Sequence, residues 1–103
     1  MVLDSCTKLL FNGVMVSKMI TVTNPKGIHA RPSALLVQTA SEHEASITLE
    51  LRGVQADARQ IIEILSLGAF HGDVLKVTCE GPDEEDAMQK IDEIFALNFH
   101  DND

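Results

Sequence analysis

The chain has 103 residues, sixteen acidic and eight basic, for a net charge of −8; 45% are apolar, with no Trp or Tyr and four Phe. That length gives one domain with a modest aliphatic core, and the charge excludes nucleic-acid backbones and anionic membranes, which need clustered Lys and Arg. Cys6 and Cys79 lie far apart and read as free thiols of a cytosolic protein, while His29, His43, His71 and His100 form no metal-ligand pattern, so no metal site is expected.

Residues 1–16 (MVLDSCTKLLFNGVMV) have no basic start, and Lys8, Asn12 and Gly13 break their apolar part, so no export signal is expected. No apolar run reaches the length of a membrane span, so no membrane insertion is expected either. Residues 1–17 are taken as a loosely ordered N-terminal extension and 18–103 as the working domain, with Met15 and Met19 as alternative starts for it. Residues 18–23 (KMITVT) alternate like a strand with Ile20 and Val22 on one face, and Asn24-Pro25-Lys26-Gly27 is turn chemistry. A helix follows from 30 to about 41, with Leu36, Val37 and Ala40 on one stripe. Residues 46–51 alternate again, turning Ile47, Leu49 and Leu51 to one side. Arg52-Gly53 then marks a tight turn into a weaker strand over 54–58, so a hairpin is expected.

A short apolar helix over 61–67 is stopped by Gly68, and 73–80 alternate Leu75, Val77 and Cys79 against their neighbours. Asp83 is placed as the cap of a last helix with an acidic first turn, which buries Ala87, Ile91, Ile94 and Phe95. The order is strand, helix, strand, strand, helix, strand, helix. Four amphipathic strands need one face covered and three helices can cover it, which predicts an α+β, two-layer open-faced sandwich with a four-stranded antiparallel sheet.

Residues 27–37 (GIHARPSALLV) put His29 at the start of the first helix. Pro32 is tolerated in a first turn, where the N–H groups have no intrahelical partner. Those N–H groups, the positive end of the helix dipole and Arg31 together make an anion site. The dipole favours a neutral, nucleophilic imidazole. A dianionic group carried on that ring would meet the N–H groups and Arg31 in charge-assisted hydrogen bonds. The arrangement suits a histidine that becomes phosphorylated, although a histidine beside an arginine at a helix start also fits an ordinary surface pair.

The second helix has its own signal. Ile61, Ile62, Ile64, Leu65 and Leu67 span about 220° at roughly 100° per residue, and a one-sided surface helix needs an apolar stripe only somewhat wider than about 100°. We expect Ile64 and Leu67 to face the sheet and Ile61, Ile62 and Leu65 to form an exposed patch near His29. Deeper burial of the whole helix is the other reading. With Ala34, Ile61 and Ile62 would form a docking surface for partners.

The stretch Gly27-Ile28-His29-Ala30-Arg31-Pro32-Ser33-Ala34 closely resembles the active-site motif of the HPr family, the histidine-containing phosphocarriers of the phosphoenolpyruvate-dependent phosphotransferase system. The resemblance runs over roughly 19–99 and includes Ile64-Leu65-Ser66-Leu67-Gly68 and Glu80-Gly81-Pro82-Asp83-Glu84-Glu85. It implies the HPr-like βαββαβα fold, with His29 accepting a phosphoryl group from phosphorylated enzyme I and donating it to an enzyme IIA protein. Ala30 and Arg31 would bind the phosphoryl group. It implies no metal or organic cofactor, a carrier turned over by others rather than an enzyme alone, a cytoplasmic location and, with the small size, a monomer.

Two branches of the family remain open at this point, one feeding sugar transporters and a nitrogen branch feeding a regulatory IIA protein. The acidic capped start and Phe-then-acidic end of "EGPDEEDAMQKIDEIFALNFHDND" resemble the nitrogen branch, and "SLG" resembles the sugar branch. Gln60 stands where many relatives carry a regulatory serine, and Gln38 and Glu63 replace basic residues of the partner-facing surface of enteric members. Regulatory HPr-like modules that bind transcription factors without phosphotransfer are a third class. Such a relative would lack the acceptor histidine, and this chain has it.

Overall fold

The computed structural model describes residues 15–96, and the expectation of a loosely ordered tail falls, as far as residue 14, outside them. Four strands, β1 (Val16–Thr21), β2 (Ser46–Leu51), β3 (Val54–Asp57) and β4 (Val74–Glu80), alternate with three helices, α1 (Ala30–Ser41), α2 (Ile61–Ser66) and α3 (Glu84–Ala96). The strands form one antiparallel sheet in the order β1-β4-β2-β3. Each crossover helix therefore links two parallel strands separated by a third, and all three helices lie on one face. This is the expected α+β open-faced sandwich.

Side-chain alternation decides which face is covered. In β2 and β4, Ile47, Leu49, Leu51, Leu75, Val77 and Cys79 are buried, while Val74, Lys76 and Glu80 between them are exposed. Opposite them lie Leu36 and Ala40 of α1, Ile64 of α2, and Ala87, Ile91, Ile94 and Phe95 of α3. Each large aliphatic side chain so buried contributes about 1.5–3 kcal/mol. Val37 reaches this core only half-buried. Burial also pushes the Cys79 thiol up to about 11, which leaves it unreactive near neutral pH.

The turns follow from backbone chemistry. Leu51 pairs with Val54, so the hairpin has a two-residue turn, and both of its residues have positive φ, 52° at Arg52 and 82° at Gly53. That is the twist-matched turn of tight hairpins. At the end of α2, Gly68 has φ 62° and its N–H donates to the Leu65 carbonyl, a glycine stop.

Several expected boundaries move. β1 starts at Val16, two residues early, and ends at Thr21. Val22 stays buried, with its N–H on the Asp73 carbonyl and its carbonyl taking the Gly72 N–H, both at 2.8 Å. β3 stops at Asp57, although the Ala58 N–H still reaches the Ile47 carbonyl. α2 ends at Ser66, with Leu67 as its cap.

Asp83 needs a larger correction. Its carbonyl accepts the Ala87 N–H as an N-cap carbonyl does. Its carboxylate, however, crosses to the end of α1 and takes the N–H groups of Glu44 and Ala45 at 3.0 and 2.8 Å. Glu84 reaches back instead to the Gly81 N–H. Gly81 has no room for a side chain: a Cβ there would lie 2.5 Å from the Ala45 Cα.

Candidate phosphoryl-acceptor site

The approach to α1 is built as a rigid ramp. The Asn24 carboxamide oxygen accepts the Lys26 N–H, and the Asn24 carbonyl accepts the Gly27 N–H at 2.9 Å, so Asn24 closes the turn twice. Asn24 is buried. Gly27 follows at φ 72°, where a Cβ would stand 2.6 Å from the Ala69 carbonyl oxygen and 2.9 Å from the Phe70 Cα. Only glycine fits both the dihedral and the gap. The Ile28 N–H then donates to the Ala69 carbonyl at 3.0 Å.

His29 comes next, as the N-cap of α1, with extended backbone (φ −110°, ψ −161°) and a side chain that makes no capping bond. His29 as a whole is half-buried. The His29 carbonyl accepts the Ser33 N–H at 3.0 Å, so the helix is closed from Ser33 onward, and Pro32 has no N–H to offer. Among the described residues nothing accepts from the N–H groups of Ala30 or Arg31. Arg31 is exposed, with no ion pair among the described residues. The twelve-residue helix that His29 caps therefore starts with two open backbone donors at its positive end and carries the Arg31 guanidinium two residues after the histidine. An anion on the ring is what such a site stabilises. The Ser33 hydroxyl, in the same turn, is buried without a hydrogen-bond partner among the described residues.

The expected docking residues divide. Ile62 is 70% exposed, and Leu65 and Ala34 are exposed too. Ile61 is not: it is half-buried, on a helix that packs against both α1 and β3. Leu67 is also half-buried rather than fully against the sheet, and Ile64 alone of the five is completely covered. Phe70 adds an exposed ring, 67% accessible, from the loop that walls Gly27. Sequence reading missed Phe70, and also the Asn24 and Asp73 side chains that hold this end. Asn-Pro signalled a turn, but nothing in the sequence links Phe70 to Gly27.

The other described histidine near α1 is of a different kind. His43 is buried, with Nδ1 2.8 Å from the Thr39 carbonyl and Nε2 2.9 Å from the Asp86 carboxylate. Both partners are acceptors, so the doubly protonated ring suits them best. The Thr39 bond leads in raising its pKa above 6.5, burial opposes it, and Asp86 and Asp83 add to it. No group of three or more metal-ligating side chains occurs among the described residues, and no helix there is long and apolar enough to cross a membrane.

Residues 16–96 match the family model described as "PTS HPr component phosphorylation site". The chain is 39% identical over 88 residues to the phosphocarrier protein HPr of Xylella fastidiosa, covering 85% of this chain and 99% of that one. Among solved structures it is similar to HPr-C-His from Thermoanaerobacter tengcongensis, with a TM-score of 0.81 at 37% identity over 84% of this chain and 98% of the other. It is also similar to a structure described as an HPr dimer from the same organism, with a TM-score of 0.66 at 40% identity over 78% and 92%.

Proposed function

The chain belongs to the HPr family of phosphocarriers of the phosphotransferase system, and we propose that within it His29 is the phosphoryl acceptor, charged by phosphorylated enzyme I and discharged to an enzyme IIA protein. The observation that carries this reading is the pair of open N–H groups, Ala30 and Arg31, at the start of the helix that His29 caps. A ring nitrogen of His29 attacks phosphorus as the bond to the donor's histidine breaks. The new phosphoryl oxygens are met by the Ala30 and Arg31 N–H groups and by the Arg31 guanidinium. The phosphoryl group leaves by the reverse chemistry, so the protein is a carrier and not an enzyme by itself.

Ile62 and Ala34, with Leu65 beside them, supply the docking surface in this reading, and Ile61 supports it from below. Docking through apolar contact accounts for how a chain of net charge −8 meets its partners. Glu63 does not spoil the surface, because its carboxylate is taken by the Asp57 N–H at 2.8 Å. The sugar branch is the partner set favoured, and the carrier acts in the cytoplasm as a monomer, with a short N-terminal extension ahead of the phosphocarrier domain.

Incubation with phosphoenolpyruvate and enzyme I is the test. One phosphoryl group should appear in the intact mass and disappear in acid, and His29→Ala should remove it completely. Full labelling of that variant would overturn the assignment.

A further inference from the structure

The peptide group between Ala69 and Phe70 is held from both sides. Its carbonyl accepts the Ile28 N–H at 3.0 Å, one residue before His29. Its N–H donates to the Asp73 carboxylate, Oδ2, at 2.8 Å. The Asp73 N–H returns to the Phe70 carbonyl at 3.0 Å, and the Asp73 carbonyl accepts the Val22 N–H. The second carboxylate oxygen accepts from the Arg52 guanidinium at 3.0 Å, and the Asp73 side chain is only 19% exposed. Arg52 itself stands in the hairpin turn at φ 52°.

These contacts form one line from the hairpin to the acceptor: Arg52, Asp73, the Ala69–Phe70 peptide, Ile28, His29. A carboxylate on an amide N–H makes a charge-assisted bond and polarises the peptide, which strengthens its carbonyl as an acceptor. The same peptide is the wall that touches Gly27. We propose that Asp73 is a positioning residue for His29, fixing the Ala69–Phe70 peptide and through it the Gly27–Ile28 backbone that aims the ring. This rests on the reading of His29 as the phosphoryl acceptor. Arg52 serves by keeping the carboxylate from rotating off the Phe70 N–H.

Three variants, Asp73→Ala, Asp73→Asn and Arg52→Ala, test it. Each is assayed as acceptor from phosphorylated enzyme I, with kcat and KM separated and with amide hydrogen exchange followed at Ile28. Small misplacements of a reacting group cost up to about a hundredfold; here Asp73→Ala should lower kcat about tenfold, leave KM within about twofold and speed Ile28 exchange about tenfold. Asp73→Asn keeps an acceptor for the Phe70 N–H and should restore most of both. Arg52→Ala should fall between, and with Asp73→Asn it carries the test if Asp73→Ala does not fold. Unchanged kcat, a change in KM alone, or unchanged Ile28 exchange overturns the positioning role. Wild-type protein that takes no phosphoryl group overturns the acceptor reading itself, whereas a labelled wild type with a normal Asp73→Ala variant overturns only this one.

Discussion

The two ends of α1 each have a histidine, and the fold uses them in opposite ways. His29 caps the N-terminal end, half-exposed, beside backbone donors left open. His43 follows the C-terminal end, buried, with an acceptor on each ring nitrogen. Around it the polar groups are spent on one another: Asp83 holds the Glu44 and Ala45 N–H groups, and the Arg59 guanidinium donates to the carbonyls of His43 and Ala45. The closed end ties α1 to β2 and α3. The open end can leave donors unsatisfied because its own anchors, Asn24 and the Ala69–Phe70 peptide, hold the chain ahead of His29 and use neither the Ala30 nor the Arg31 N–H. Both ends rest on a glycine that another backbone approaches closely, Gly27 in one case and Gly81 in the other. What separates them is unspent hydrogen-bonding capacity.

That contrast is most sharply tested by changing one residue at each end. In the proposed reading, Arg31→Ala removes a charge-assisted contact to the phosphoryl group, worth roughly 1.5–3 kcal/mol, so transfer should slow about 10- to 150-fold at tenfold per 1.4 kcal/mol. The exposed Arg31 side chain packs on little, and the melting temperature should stay within about 2 °C. His43→Ala should do the reverse. Leaving the Thr39 carbonyl without its ring partner and opening a cavity should cost about 2–4 kcal/mol of stability, with phosphoryl transfer by the folded protein near normal. Calorimetry and stopped-flow transfer on both variants check this together. If Arg31→Ala melts early or His43→Ala transfers slowly, the two ends do not divide labour as described.

Ile62→Glu tests the open end more gently. The side chain is 70% exposed, so stability should shift by no more than about 0.5 kcal/mol. If Ile62 lies at the centre of the proposed docking surface, a carboxylate there should raise KM about tenfold, with kcat little changed. A large loss of stability would mean that Ile62 supports the fold.

The sequence disclosed one end far better than the other. His29, Arg31 and Pro32 lie within four residues, and their meaning comes from local helix-start chemistry. The strands were equally local: Ile47, Leu49 and Leu51 alternate, and Arg52-Gly53 names its own turn. His43 gave no such signal, because its partner Asp86 is 43 positions away and only the packing of α3 across α1 brings them together. Asp83 was misread for the same reason. A helix-start Asp followed by acidic residues fits a side-chain cap, and nothing nearby shows that its carboxylate serves a loop 38 residues earlier. Ile61 was placed outward from its angle on the helix wheel, but α2 has only six residues, so its neighbours decide which side is wet.

The smallest expected effect is a pH dependence that belongs to the closed end. His43 has its pKa raised above 6.5, chiefly by the Thr39 carbonyl bond and further by Asp86 and Asp83. A raised folded-state value means that its stabilisation is complete below 6.5 and is lost as pH rises through the higher folded value. Asp83 has the opposite sign. Desolvation pushes its carboxyl up, but the N–H groups of Glu44 and Ala45 outweigh this and hold it below 3.8. Its contribution is present above 3.8 and lost as pH falls further. Between about 3.8 and 6.5 both contributions are complete. Denaturant midpoints at pH 5.5 and 8.5 should therefore fall for the wild type and fall less for His43→Gln, which cannot become charged. Asp86 is 60% exposed, so its part is screened and the difference between the two proteins should narrow in 1 M salt. The Thr39 bond is buried and should keep some of the difference in place. Parallel slopes for wild type and variant would show that the ring keeps the same charge from pH 5.5 to 8.5.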